Sequence, residues 1–199
     1  MGSSEAMLEE IIRLNEQVRD LSFEHYFTYQ LFSWVWWLNI AMLIVPLIVW
    51  WRTVDKTRLL EICVVGLLMC ISAAILDVTG TEYVLWDYGV KVVPRAALLL
   101  PVDYVILPVI LMHVYQNYST WGKYLIAAVV VALLKSFVAE PLAVLIGQYR
   151  LIRWEYIYSV PIYIALYIII KFMLERFKKV QNIALEKSNK SDEQPDKKA

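Results

Sequence analysis

Three ionisable side chains interrupt stretches of the chain that are otherwise apolar. Asp103 lies within "LLLPVDYVILPVILM", and Lys135 and Glu140 lie within "AAVVVALLKSFVAEPLAVLIG". A single charge at the centre of a bilayer costs about 2.5–3.5 kcal/mol on insertion scales, so such groups normally face the interior of a helix bundle and find partners there. We therefore predict that these residues form a binding site for a ligand, an ion or a proton, or a buried ion pair that only fixes helix packing.

Regular helix geometry decides which of these residues we expect to pair. Five residues of α-helix separate Lys135 and Glu140 by about 140° around the axis, so the two side chains should lie on different faces. Ser136 and Glu140 are four residues apart and nearly share a face. We therefore expect Lys135 to pair with Asp103 on another helix at a similar depth. Glu140, without a cation of its own, would then bind a proton or a cation.

Three prolines lie close to these polar residues in the sequence: Pro101, Pro108 and Pro141. A proline inside a helix lacks the N–H that would bond to the carbonyl four residues earlier, so the carbonyls of Tyr104 and Phe137 are expected to be free. Free carbonyls beside a carboxylate can coordinate a cation, or can be satisfied by hydroxyl groups and neighbouring helices. Further residues predicted to support the site are Arg95, Tyr104, Gln116 and Trp154.

The composition shows what kind of elements must position these residues. The chain has 199 residues, 60% of them hydrophobic, and its mean hydropathy of +0.54 is too high for an ordinary soluble domain. A helix needs about 20 apolar residues to cross the hydrocarbon core. Five stretches are of about that length, at residues 32–51, 59–76, 96–115, 123–147 and 154–172. The predicted fold class is therefore all-α, a polytopic membrane helix bundle with five transmembrane helices.

The two ends of the chain differ from this helical bundle. Residues 1–30 combine apolar and charged positions at helical spacing, which predicts an amphipathic N-terminal helix that is peripheral to the membrane. Residues 31–175 form the predicted five-helix transmembrane domain. Residues 176–199 are first basic and then polar, and this composition predicts a disordered tail.

Basic residues near the ends of the apolar stretches predict the orientation of the bundle. Eight Lys and Arg residues lie on the side of the C-terminus, against six on the opposite side. This bias predicts a multi-pass protein of the cell membrane with a cytoplasmic C-terminus. Because the predicted number of helices is odd, the N-terminus would then be external.

The remaining composition argues against several kinds of site. Lys and Arg together equal Asp and Glu together, at 19 each, so no net charge attracts nucleic acid. His25 and His113 are the two histidines, and neither has metal-ligand spacing from Cys63 or Cys70. We therefore predict no metal site, no cofactor and no nucleic-acid partner. No pattern of residues marks a catalytic nucleophile either.

Three segments carry a resemblance to a known family: "VVPRAALLLPVDYVILPVILMHVYQ", "SFVAEPLAVLIGQY" and "WEYIYSVPIYI". Through them the chain resembles a small uncharacterised integral-membrane family of spore-forming Firmicutes with about five predicted helices. The resemblance covers roughly residues 86–172, and Lys135 is not a position that it carries over. The signature positions that it implies are Pro94, Pro101, Asp103, Pro108, Tyr115, Gln116, Glu140, Pro141, Trp154 and Pro161. The family has no established activity, so the resemblance implies a topology and a set of residues only.

The predicted function is a small permease, an ion or proton pathway, or a sensor, built around Asp103, Lys135 and Glu140. A bundle of five helices is narrow, so a homo-oligomer or a membrane partner is expected within the lipid bilayer. One alternative is a membrane-embedded enzyme acting on a lipid or isoprenoid, with Asp103 and Glu140 as acid and base. Another is a membrane scaffold subunit whose N-terminal helix recruits a second protein.

Overall fold

Helices account for most of the residues in a computed structural model of the chain, which describes residues 2–192. In chain order the elements are α1 (Ser3–His25), α2 (Trp34–Thr53), α3 (Leu59–Glu82), β1 (Trp86–Tyr88), α4 (Leu107–Asn117), α5 (Trp121–Leu134), α6 (Glu140–Leu145), β2 (Tyr149–Leu151) and α7 (Tyr156–Asp192). Irregular helical turns lie between them at Tyr26–Gln30, Lys56–Arg58, Val102–Ile106 and Lys135–Ala139. Apart from one short ribbon, the predicted all-α fold is confirmed.

Within residues 2–192, four helical stretches are long and apolar enough to cross a membrane: Trp34–Thr53, Lys56–Glu82, Trp121–Leu145 and Tyr156–Asn189. They correspond to the first, second, fourth and fifth stretches expected from the sequence. The stretch at residues 96–115 does not form one long α-helix. Residues 91–99 are not helical, and the chain passes through the turn Val102–Ile106 before α4 begins. The count of five membrane-crossing helices therefore stays a prediction.

The helix α4 lies at the centre of the bundle. It packs mainly against α3 and also contacts α2 and α5, while α7 packs against α5 and α3. Seven of its eleven residues are buried: Leu107, Pro108, Val109, Leu111, Met112, Val114 and Tyr115. Because protein surrounds α4, a polar side chain on the turn that precedes it is enclosed by the neighbouring helices.

Two π-helical turns interrupt the helices of this core, and a proline follows each of them. The first is Val102–Ile106 (the aspartate turn), in which the N–H of Leu107 donates to the carbonyl of Val102. Pro108 comes next and has no N–H with which to bond the carbonyl of Tyr104, so the regular pattern of the α-helix is lost here. The wider π-helical turn accommodates this missing N–H donor.

The second π-helical turn is Lys135–Ala139 (the lysine turn), and it has the same design. The N–H of Glu140 donates to the carbonyl of Lys135, and Pro141 then leaves the carbonyl of Phe137 without its helical donor. Both turns insert an extra residue into the helix, which changes the faces on which the following side chains lie.

A two-stranded antiparallel ribbon joins the loop after α3 to the segment after α6. The strands β1 and β2 pair with Asp87 opposite Arg150. Close contact continues next to the strands, where a Cβ on Gly89 would lie 1.9 Å from the carbonyl oxygen of Gly147, so only glycine fits. The ribbon was not predicted, because strands of three residues are too short to show a periodicity in the sequence.

The helix α1 lies outside the core, and none of its residues is buried. Arg95 Nη1 donates to the carbonyl of Asn15 at 3.2 Å and so connects α1 to the loop after β1. The turn after α1 is more firmly held, because the Tyr26 hydroxyl donates to the carbonyl of Val92 at 2.7 Å and Gln30 is buried beside the same loop. The peripheral membrane position of α1 stays a prediction.

Residues 176–192 are helical, which corrects the expectation of a disordered tail over that range: α7 continues without a break to Asp192. The helix is held against its neighbours, because Leu174 is buried in the core and Lys178 Nζ lies 2.9 Å from Glu61 Oε1. Lys and Glu, which are frequent in this range, are also good helix formers. Residues 193–199 of the predicted tail lie outside the described residues.

Candidate functional site

A buried pair of carboxyl groups lies between α3 and the aspartate turn. Asp77 is 6% exposed and Asp103 is 4% exposed. Leu99 connects the two: its N–H donates to Asp77 Oδ2, and its carbonyl accepts from the N–H of Asp103, both at 3.0 Å. Two ionised carboxylates held near each other in apolar surroundings repel, and a proton on one of them removes that repulsion. The pair is therefore suited to bind and release a single proton.

Three donors fix the position of Asp77. Trp86 Nε1 donates to Oδ1 at 3.0 Å, and the hydroxyl of Tyr88 donates to the same oxygen. The backbone N–H of Leu99 donates to Oδ2 at 3.0 Å. Both carboxyl oxygens of Asp77 are thus occupied, and Asp103 is the member of the pair whose hydrogen bonding is incomplete.

Asp103 and Ser136 occupy the same position, the second residue, in the two π-helical turns. Both are buried, and Ser136 has no exposed surface at all. Asp103 Oδ2 and Ser136 Oγ are among four buried side-chain atoms of residues 2–192 that have no hydrogen-bond partner. An unsatisfied buried polar atom costs about 1–3 kcal/mol. Such a cost calls for a functional explanation.

Lys135 pairs with Glu140, which corrects the expected pair with Asp103. Its Nζ lies 2.9 Å from Glu140 Oε1 and also donates to the hydroxyl of Tyr163. The expectation that Lys135 and Glu140 lie on different faces is wrong because the helix between them is not regular. The lysine turn closes with a bond between residues five apart and brings those residues onto one face. The charge of Lys135 still acts on Asp103, but from a distance.

Trp154 connects the two halves of the site. Its Nε1 donates to Ser159 Oγ at 3.0 Å, and that hydroxyl donates to Glu140 Oε2 at 3.2 Å. The Trp154 ring also meets the ring of Trp86 edge to face, with centroids 4.9 Å apart. Because Trp86 donates to Asp77, one continuous set of contacts runs from Glu140 to the carboxyl pair.

A cavity of about 210 Å³ opens at the ribbon end of the bundle and reaches Tyr88, the residue whose hydroxyl bonds to Asp77. Its wall includes three basic side chains, Lys91, Arg95 and Arg150, and the acidic Asp87. Burial, and then the neighbouring Asp77 carboxylate, raise the pKa of Tyr88 well above its ordinary value. The hydroxyl therefore stays a neutral donor between the cavity and the carboxyl pair.

Three of the predicted supporting residues lie away from the carboxyl pair. Arg95 is exposed at the ribbon end of the bundle. The Tyr104 side chain is 43% exposed, and its contribution is the carbonyl freed by the following proline, to which Cys70 Sγ donates at 3.7 Å. Gln116 lies at the opposite end, where its Nε2 donates to the carbonyl of Thr53 at 3.1 Å. Their described contacts hold the backbone and do not involve the carboxyl pair.

The predicted prolines act through the backbone. Pro101 precedes the aspartate turn and is fully buried. Pro108 is buried within α4, and Pro141 is partly buried at the start of α6. Each of the last two follows a π-helical turn, so their contribution is to the geometry that aims Asp103 and Glu140 inward.

Sequence reasoning missed half of the carboxyl pair. The second apolar stretch was predicted to end at residue 76, one residue before Asp77, whereas α3 continues to Glu82. An aspartate that directly follows an apolar run, in "AAILDVTG", is the signal that could have found it. Tyr163 and Ser159 carry no such signal, because tyrosine and serine are ordinary residues of membrane helices.

Neither a protein-family model, a curated protein nor a solved structure matches the chain. The resemblance to the Firmicutes membrane family therefore stays a prediction. Within the part of the chain that the structure describes, no group of three or more His, Cys, Asp or Glu side chains could hold a metal ion. The function has to be argued from the carboxyl pair and its surroundings.

Proposed function

We propose that the chain is a multi-pass protein of the cell membrane that binds and releases a proton at the Asp77–Asp103 pair. It would act as a small proton pathway, a proton-coupled permease or a proton sensor, with its C-terminus in the cytoplasm. The aspartate turn and α4 form the fifth membrane-crossing segment in this proposal. Helical residues 100–117 extend over about 27 Å, close to the thickness of the hydrocarbon core.

The observation that carries the proposal is the buried carboxyl group of Asp103, which lies near the carboxyl group of Asp77 and contacts no cation among the described residues. Two negative charges side by side in apolar surroundings are costly, and one shared proton removes one of them. Lys135 is engaged by Glu140 and Tyr163, so it does not neutralise Asp103 by contact. Its positive charge acts on Asp103 only from a distance.

The proton would reach the pair from the ribbon end of the bundle. The cavity there ends at Tyr88, whose hydroxyl can donate and accept and already bonds to Asp77. Titratable groups around the pair come from α3, β1, the lysine turn and α7: Cys70, Tyr88, Lys135 and Tyr163. A proton pathway needs a second opening at the opposite end, whereas a sensor needs only this one.

Infrared difference spectroscopy tests the proposal directly. The full chain in lipid bilayers, compared between acid and alkaline pH, should show the C=O stretch of a protonated carboxylic acid that exchanges with solvent. Asp103→Asn should remove that band, because the amide cannot take up the proton. Asp20→Asn is the matched control, since Asp20 is exposed on α1 and should leave the band unchanged.

Absence of the band from the unmodified protein, or its persistence in Asp103→Asn, would overturn the proposal. Proton flux into vesicles that contain the protein and an internal pH dye then separates the versions of the function. Flux that Asp103→Asn abolishes indicates a pathway. A titrating band without flux indicates a sensor, or a permease whose substrate was not supplied.

A further inference from the structure

A second polar region lies at the end of the bundle opposite the ribbon. It is a cleft of about 470 Å³ (the basic cleft) between α7, the start of α3 and the junction of α4 with α5. Its wall contains four basic side chains, Arg58, Lys171, Lys178 and Lys179, and two acidic ones, Glu175 and Glu186. None of these residues belongs to the carboxyl pair or to the cavity beside it.

The carboxylate of Glu61 forms ion pairs with two basic side chains at the wall of the basic cleft. Arg58 Nη2 and Lys178 Nζ each lie 2.9 Å from Glu61 Oε1, and the Tyr115 hydroxyl donates to the same oxygen. A single negative charge balances only one of the two positive charges, and Lys179 adds another beside them. Even with Glu61 counted as a third acidic group, positive charge remains in the cleft.

Lys171 forms the buried floor of the cleft. The residue is 1% exposed, and its Nζ donates to the carbonyls of Tyr118 and Ser119 at 3.3 and 2.8 Å. Nζ also lies 4.3 Å from the centre of the Tyr124 ring. Glu175 is 3.9 Å away, a loose pair. The ammonium group is thus held in a fixed place by carbonyls and aromatic rings, while its nearest carboxylate is too far away for a close ion pair.

The basic cleft lies where the aromatic belt of a membrane protein is expected. Trp121, at the start of α5, donates through Nε1 to Glu175 at 2.8 Å, and tryptophan collects at the level of lipid headgroups. Large apolar side chains of α7 are exposed next to Lys171 and toward the membrane, Ile169 and Phe172 among them. A ligand that fits this region has an anionic group for the lysines and an apolar part for these side chains.

We propose that the basic cleft binds the phosphate headgroup of an anionic membrane lipid, whose acyl chains lie along the exposed apolar side chains of α7. Lysine clusters between membrane helices attract anionic headgroups through charge and hydrogen bonds. A free phosphate ion shares the charge but has no apolar part to cover α7. The inference depends on the membrane location and not on proton binding at Asp103.

Titration of the full chain with phosphatidylglycerol, followed by native mass spectrometry from mild detergent, measures this binding. The double variant Lys178→Gln and Lys179→Gln should weaken it by about tenfold or more, given the typical contribution of each lysine to anionic-lipid binding. Glu61 keeps Arg58 and Tyr115 as partners in this variant, so the fold should survive. Phosphatidylcholine, which has no net charge, should bind weakly to both proteins.

The matched control is the double variant Arg52→Gln and Lys123→Gln, which removes two exposed positive charges at the same end but outside the basic cleft. It should retain the binding of the unmodified chain. An equal loss in this control would show a general surface effect and overturn the proposal, as would unchanged binding after Lys178 and Lys179 are replaced. Inorganic phosphate that competes as strongly as the lipid would also overturn it, in favour of a free anion.

Discussion

The aspartate turn and the lysine turn share one backbone design. In each, a carbonyl accepts from the N–H five residues later, and a proline follows that N–H. Their second residues, Asp103 and Ser136, are both buried and each has a side-chain oxygen without a partner among the described residues. They differ at the residue before the proline, which is Leu107 in the first turn and Glu140 in the second.

This difference decides what each turn can do. The lysine turn begins with Lys135 and is followed directly by Glu140, so the positive charge at its start is neutralised by the carboxylate at its end. The aspartate turn has no basic residue and depends on Asp77, which comes from α3 and has the same charge as Asp103. One turn is therefore suited to hold helices together, and the other is suited to exchange a proton.

Breaking the lysine turn should have the largest effect on stability. Lys135→Met leaves the buried Glu140 without its cation, and an uncompensated buried charge typically costs about 3–5 kcal/mol in unfolding free energy. Reversible unfolding of the protein in mixed micelles, with increasing denaturing detergent, measures the change. The double variant Lys135→Met with Glu140→Gln should recover most of the loss. Equal stability of Lys135→Met and the unmodified chain would show that the pair is not structural.

Replacing Asp77, the partner of Asp103, should lower the unfolding free energy by less than Lys135→Met does. Asp77→Leu removes the acceptor of Trp86, Tyr88 and Leu99, and stranding these donors should lower the unfolding free energy by about 2–3 kcal/mol. Asp77→Asn should lose under half as much, because its amide oxygen still accepts. The same unfolding measurement compares the two variants. If leucine were tolerated as well as asparagine, Asp77 would not be what holds β1 to α3.

A smaller effect is expected in the pH dependence of the unfolding free energy, through Tyr88, which donates to Asp77. Burial raises the pKa of folded Tyr88 above its ordinary 10.0, whereas tyrosine in the unfolded chain ionises near pH 10. The stability that Tyr88 contributes is therefore complete below about pH 10 and is lost as the pH rises above it. Between about pH 10 and 11 the unmodified chain should lose about 1 kcal/mol more than Tyr88→Phe does. A parallel decline of the two proteins would show that Tyr88 is not buried against Asp77.

The smallest effect is expected at Ser136, the counterpart of Asp103 in the lysine turn. Ser136→Ala removes a buried hydroxyl whose oxygen has no partner, so the unfolding free energy should change by less than about 0.5 kcal/mol or increase slightly. The infrared band assigned to Asp103 should also remain. A loss above about 1 kcal/mol would mean that Ser136 takes part in a bond, and that the two turns are more alike than their contacts indicate.

The sequence by itself determined which segments are apolar helices and which polar residues had to face inward. The charges of Asp103 and Glu140 in apolar runs fixed that outcome, because exposing them to hydrocarbon is too costly. It did not determine the partner of Lys135. A proline after Glu140 is compatible with a kink, a lost bond or a π-helical turn, and packing against the neighbouring helices selects among them.

Only the tertiary structure brought Asp77 to Asp103 and Lys178 to Glu61. These contacts join residues 26 and 117 positions apart, a separation over which no periodicity of a single segment carries information. Tertiary contacts also determined the length of α7. The polar composition of residues 176–192 does not predict a helix, but these residues continue a helix that Leu174 and Lys178 hold against its neighbours. The pattern of apolar and polar residues within a segment indicates which side chains are buried. The packing of the segments against one another determines which residues these side chains contact.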